Sequence, residues 1–277
     1  MNKQLFIRCT MLICVLQINQ NALSQDGAIN AWPQFRGMNC SGLAHPDQKP
    51  PIDFGPDQNV VWKVQLISGV SSPCIWNDRI FLTGFDEENK KLHVLCYHRT
   101  NGKLIWDHIV PAKEIEPFHV TGSPADATPA TDGERIYVHF GSYGLLCYDF
   151  AGEVLWTHEL PVNDNRFGTG TSPITVDNLV ILMVRRPKRD EYLLALNCKT
   201  GQQAWKKPIN GASHSTPIIW KNSIIVHYQG SVSGFSVKDG TEIWQVLVNT
   251  TGTSSPVANN NMLYVGTWTN GGNKTSE

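Results

Sequence analysis

A glycine stands four residues before a tryptophan in Gly102-Lys-Leu-Ile-Trp106, Gly152-Glu-Val-Leu-Trp156, Gly201-Gln-Gln-Ala-Trp205 and Gly240-Thr-Glu-Ile-Trp244. The copies begin 50, 49 and 39 residues apart. A period in this range marks a propeller or another array of small units, none of which buries its apolar face alone. The repeat therefore fixes architecture before it says anything about chemistry.

A second signature runs in register with the first: Ser72-Pro73, Thr128-Pro129, Ser172-Pro173, Thr216-Pro217 and Ser255-Pro256. Seven residues after each proline comes an aliphatic residue: Ile80, Ile136, Val180, Ile224 and Leu263. The polar pairs between, Asn77-Asp78, Asp132-Gly133, Asp177-Asn178, Lys221-Asn222 and Asn260-Asn261, are hairpin-turn residues. Each unit thus opens with two antiparallel strands, the first starting at a proline, where the missing N–H does least harm. A third strand follows, as in Leu92–Cys96 and Tyr192–Ala195. The repeat glycine then permits a turn with positive φ, and a fourth strand ends on the tryptophan. Four strands per unit is the make-up of a propeller blade.

The predicted fold is all-β: a propeller of four-stranded blades, four complete, with partial blades at the ends. The stretch Val60-Val61-Trp62-Lys63-Val64 reads as a strand closing a repeat whose beginning is missing, and Ser255 to Gly266 as the first two strands of another. Trp62, Trp106, Trp156, Trp205 and Trp244, with Gly102, Gly152, Gly201 and Gly240, read as structural, because every blade meets the same packing problem. Cys96 and Cys147 occupy the position that Ala195 and Gly234 hold in later blades and read as small buried residues, as does Cys74.

Residues 1–24 read as a secretory signal peptide: Lys3 and Arg8, an apolar run from Cys9 to Leu16, and small residues at Ala22 and Ser24 before the cut. No segment has the roughly 20 apolar residues of a membrane span. The mature chain is expected in the periplasm or outside the cell, with a formal charge moving from −1 to about −3. That balance argues against nucleic acid, which needs a basic stripe. Residues 25–59, containing Ala31-Trp32-Pro33-Gln34-Phe35-Arg36-Gly37, read as an irregular leader packed on the domain, and residues 60–277 as the repeats, incomplete at the C-terminus.

The chain resembles the pyrroloquinoline-quinone (PQQ)-like β-propeller repeat proteins, whose repeat carries Ala-x-Asp-x-x-Thr-Gly-(Lys/Glu)-x-x-Trp. The nearest copy is Ala195-Leu-Asn-Cys-Lys-Thr-Gly-Gln-Gln-Ala-Trp205, with Asn197 for the aspartate. The leader's Trp-Pro-Gln-Phe-Arg-Gly is similar to that of exported non-dehydrogenase members. The resemblance implies seven or eight blades in a full-length chain, roughly 100 residues more than are present at about 45 per blade. It also implies either a non-catalytic binding and assembly scaffold of the cell envelope, with a protein or peptide partner, or a quinoprotein dehydrogenase holding PQQ and calcium. The adjacent cysteine pair common in the dehydrogenases is absent from this sequence.

No Cys-x-x-Cys, His-Glu-x-x-His, Gly-x-Gly-x-x-Gly or Gly-x-Ser-x-Gly motif occurs, so neither a catalytic residue nor a metal ligand is assigned. The segments before each Ser/Thr-Pro join the outer strand of one blade to the inner strand of the next and should gather at the channel mouth. They carry unlike polar residues: His119 and Asp126, Arg166, and His214. Positions that vary where the repeat demands nothing are where function is grafted on a scaffold. These four are the candidate binding or cofactor residues, suited to an anion, a peptide or a small-molecule ligand.

Overall fold

A computed structural model describes residues 31–186, 190–211 and 213–266. The signal-peptide reading and residues 267–277 lie outside the described residues. A two-residue strand, β1 (Ala31–Trp32), precedes four blades. Blade I is β2 (Cys74–Trp76), β3 (Arg79–Asp86), β4 (Lys91–His98) and β5 (Leu104–Ile109). Blade II is β6 (Ala130–Thr131), β7 (Arg135–Phe140), β8 (Gly144–Asp149) and β9 (Val154–Glu159). Blade III is β10 (Ile174–Val176), β11 (Leu179–Val184), β12 (Tyr192–Asn197) and β13 (Gln203–Pro208). Blade IV is β14 (Ile218–Trp220), β15 (Ser223–Tyr228), β16 (Ser231–Ser236) and β17 (Glu242–Leu247). The pair β18 (Val257–Ala258) and β19 (Leu263–Tyr264) begins blade V. Each blade is an antiparallel meander in chain order, as the two signatures predict.

The hairpin turns open as their residues dictate: Asn77, Gly133, Asp177 and Lys221 all have φ between 48° and 92°. In blades II and III the second and third strands are buried on both faces because neighbouring blades stack against each side. In β7, Ile136, Val138 and Phe140 pack toward blade I, while Tyr137 packs toward blade III. In β11, Val180 and Leu182 join blade II, and Ile181 and Met183 join blade IV. Strand alternation thus sends successive side chains into two different interfaces.

Two belts of hydrogen bonds bind blade to blade. The outer belt uses the repeat tryptophans: the indole N–H of Trp62 donates to the Arg99 carbonyl (2.8 Å), Trp106 to Phe150 (3.2 Å), Trp156 to Cys198 (2.9 Å) and Trp205 to Val237 (3.0 Å). Each indole also lies on the repeat glycine of the next blade. A Cβ added at Gly201 would come within 2.6 Å of the Trp156 ring. The inner belt uses the Ser/Thr-Pro residues. The backbone N–H of Ser72 donates to Thr128 Oγ1 (3.1 Å), Thr128 to Ser172 Oγ (3.0 Å), Ser172 to Thr216 Oγ1 (3.0 Å) and Thr216 to Ser255 Oγ (2.9 Å).

Two expectations need correction. Val60–Val64 forms no strand, because among the described residues no third strand lies beside it to complete a ladder. Trp62 nevertheless makes its belt contacts. The leader, in turn, is part of the fold as well as packed on it. Strand β1 pairs with β2 and makes the first sheet five-stranded. The next residues cross the inner strands of all five blades. The Pro33 carbonyl accepts from Thr131 N–H (2.8 Å) and Cys74 Sγ (3.2 Å), Gln34 Oε1 accepts from Thr175 N–H (3.1 Å), Cys40 Sγ lies 3.8 Å from the Pro217 carbonyl, and Arg36 Nη1 donates to Ser255 O (3.0 Å).

Candidate functional site

The linkers that enter β6, β10 and β14 come together around Phe167. The linker between β9 and β10 is shaped by its own asparagines. Asn163 Oδ1 accepts from Asn165 N–H (3.0 Å), Asn165 Oδ1 from Phe167 N–H (3.2 Å), and Asn165 Nδ2 donates to Gly168 O (3.0 Å). Gly168, at φ 80°, lets the chain turn there. This braced turn holds Arg166 and Phe167 outward.

Phe167, 43% exposed, becomes the centre of an aromatic ledge. The Arg166 guanidinium sits 4.6 Å from the Phe167 ring centroid. His119 of the preceding linker lies 5.9 Å from the same ring, and His214 of the following one meets it edge-on at 6.2 Å. Three of the four residues singled out from the sequence, His119, Arg166 and His214, therefore gather on a fourth that was not. Asp126 makes no ring contact there but lies beside the ledge backbone, since a Cβ added at Gly122 would stand 3.1 Å from its Oδ2, 3.6 Å from the His119 carbonyl and 3.9 Å from that of Phe167. Its carboxylate accepts from Ser123 N–H (2.8 Å), and burial raises its pKa to about 6.

Beneath the ledge the polar groups are buried and held neutral. Glu116 Oε2 accepts from Asn163 Nδ2 (2.8 Å) and Thr169 Oγ1 (2.9 Å), while burial lifts the carboxyl to about 8. The opposite oxygen, Oε1, is buried without a hydrogen-bond partner among the described residues. Burial lowers His139 to about 4; burial and the positive charge of Arg185 do the same for His214. A small cavity of about 20 Å³, room for one water-sized group, lies between these linkers and the end of β11, where Arg185 and Arg186 line it.

Sequence reasoning missed Phe167, Glu116, Asn163 and the two arginines. Arg185-Arg186 opens a basic run that the sequence continues as Pro187-Lys188-Arg189, the last three lying outside the described residues. That run was a readable signal. Glu116 carries none, since its burial is set by residues 26 to 53 positions away.

Glu116 does not fit calcium. That ion takes six to eight oxygen ligands, whereas Glu116 Oε2 is already met by an N–H and an O–H donor. Among the described residues no three His, Cys, Asp or Glu side chains converge as a metal site. The five described cysteines are free and buried, and burial raises each thiol, Cys96 and Cys198 to about 11.

The model of a known family, outer membrane protein assembly factor BamB, matches residues 53–225 and 151–270, spanning the blades just described. The chain belongs to this family of PQQ-like propeller repeat proteins. No curated protein matches the sequence. Among solved structures it is similar to BamB from Moraxella catarrhalis, with TM-score 0.53 and 17% identity over 76% of this chain and 61% of that one. It is also similar to the quinohemoprotein alcohol dehydrogenase of Comamonas testosteroni, with TM-score 0.60 and 13% identity over 83% of this chain and 42% of that one. A europium-containing methanol dehydrogenase gives TM-score 0.59 and 9% identity, covering 79% and 49%. These likenesses establish the β-propeller. The chain spans less than two thirds of the length of each. No described helix is long and apolar enough to cross a membrane.

Proposed function

We propose that this propeller is an exported, non-catalytic scaffold of the cell envelope that binds a protein or peptide partner on its linker face. The observation that carries the reading is the ledge of Arg166, Phe167, His119 and His214, with Val120 beside His119 in sequence and 89% exposed. A partly exposed aromatic flanked by a stacked arginine is the kind of anchor that dominates protein interfaces. Membership in a family described as an outer membrane protein assembly factor supports the same reading.

A photocrosslinking residue at position 167 should give discrete protein adducts in cells, whereas the same residue at Lys238, in the turn between β16 and β17, should give none. The competing reading, a quinoprotein dehydrogenase, rests on the likeness to solved dehydrogenases and is tested with PQQ and Ca²⁺ added to pure protein. Quinone absorbance surviving gel filtration, together with dye reduction by an alcohol or sugar, would overturn the scaffold.

A further inference from the structure

The end of β11 leaves positive charge unbalanced in a partly closed place. Arg185 Nε lies 3.5 Å from Glu191 Oε1, and Arg186 Nη1 lies 3.4 Å from Asp190 Oδ1. Asp190 is also claimed by Lys206, at 3.1 Å. Among the described residues three cations thus share two carboxylates. Side-chain exposure is 17% for Arg185 and 11% for Arg186, so solvent does little to relieve the imbalance.

The hydrogen-bond accounting points the same way. Among the described residues Arg185 Nη1 and Arg186 Nε are buried and reach no hydrogen-bond acceptor, and Arg185 Nε has only its long 3.5 Å contact with Glu191. Both arginines line the small cavity with Asn163, Thr169, Gly141 and His139. Among the described residues no ion pair joins Asp126 or Asp164 to either arginine, and the titratable groups packed beside the cavity bring no negative charge. Glu116 is protonated at neutral pH, its Oε2 engaged by Asn163 and Thr169. His139 and His214 are neutral. A water molecule would accept from the guanidinium groups but bring no charge. A carboxylate brings both, and its planar pair of oxygens matches the guanidinium fork.

The cavity adjoins the ledge. Gly170 lines it, and a Cβ added there would stand 3.1 Å from Nδ1 of His214, the ledge residue. An apolar side chain on Phe167 would therefore leave a neighbouring acidic side chain within reach of Arg185. We propose that Arg185 and Arg186 form a carboxylate-recognition site beside the ledge that takes an aspartate or glutamate from the partner segment bound there, the cavity behind them holding no more than a water-sized group. This rests on the ledge being a partner-binding surface.

The test uses a labelled hexapeptide with two glutamates flanking a phenylalanine, its glutamine counterpart, and sodium acetate at constant ionic strength. The expected result is that the glutamate peptide binds at least about tenfold more tightly than the glutamine peptide, that Arg185→Gln erases the difference, and that acetate competes. Equal binding of the two peptides to the unaltered protein overturns the carboxylate site and leaves the ledge standing. Acetate that raises the melting temperature saturably, without binding of either peptide, assigns the arginine pair to a free carboxylic acid and overturns partner docking. Inorganic phosphate competing as well as acetate overturns carboxylate as the ligand class. Failure of peptide and acetate alike overturns the inference whether or not Arg185→Gln folds, and crosslinking from position 167 then decides separately on the ledge.

Discussion

Opposite each repeat tryptophan, on the adjoining third strand, stands a small side chain. Cys96 pairs with Trp106, Cys147 with Trp156, Ala195 with Trp205 and Gly234 with Trp244. A bulge follows at the next residue in every blade. The indole lies across the strand, so the residue beneath it must be small, and cysteine is used here for its size. This was legible in the sequence because the position recurs in register. Glu116 was not legible, because a carboxyl's titration is a property of the neighbours that bury it. Its consequence is a pH dependence. The unfolded carboxyl titrates near 4.5 and the folded one near 8, so the folded state retains a proton that the unfolded state has released. The contribution is complete below pH 4.5, declines between 4.5 and 8, and is gone above about 8. Glu116→Gln has no proton to lose. Between pH 5 and 7.5 its stability should fall less steeply than that of the unaltered protein, by up to about 1.4 kcal/mol per pH unit. Parallel denaturation curves across that range would refute the assignment.

At the scale of the element, the Gly-x-x-x-Trp and Ser/Thr-Pro signatures are the two ends of one joint. Their spacing gave the strands and hairpins correctly, yet the hydroxyls' work was hidden. In the sequence Ser72 and Thr128 are 56 residues apart, and only the stacking of blades makes one the acceptor of the other. Val60–Val64 shows the reverse failure: strand-like composition without a neighbour makes no strand. The joint makes a graded prediction. Trp156→Phe keeps the ring but loses the bond to the Cys198 carbonyl and should cost about 1–2 kcal/mol. Gly201→Ala should cost more, at least about 2 kcal/mol, because it places a Cβ against the same indole at a backbone φ of 68°. Chemical denaturation of the two variants checks the order, and a milder Gly201→Ala would refute the account of the seam.

On the scale of the whole molecule, the leader binds what the repeats alone leave modular. Its hydrogen bonds reach blades I, II, III and V, and Cys40 is buried with Ile174, Ile218 and Ile225 of blades III and IV. Composition marked the segment as irregular, which it largely is, but could not show that an irregular stretch crosses the inner strands of successive blades. Removing residues 31–42 should lower unfolding stability by at least about 3 kcal/mol, counting roughly 1 kcal/mol for each hydrogen bond lost. A synthetic peptide of those residues added in trans should restore part of the loss. An unchanged denaturation midpoint would show that the belts suffice without it.

The belts and the leader differ in one respect that bears on how such a chain can change. Each belt bond joins a blade to its immediate successor, always from N–H to the next hydroxyl or from indole to the next carbonyl, so a duplicated blade would slot in and re-form the same joints on both sides. The leader has no such tolerance. It touches blade I at Pro33 and blade V at Arg36, and a blade inserted between them would pull those contacts out of step. Within this propeller the belts are blind to number, while the leader acts as a measuring tape laid across five inner strands.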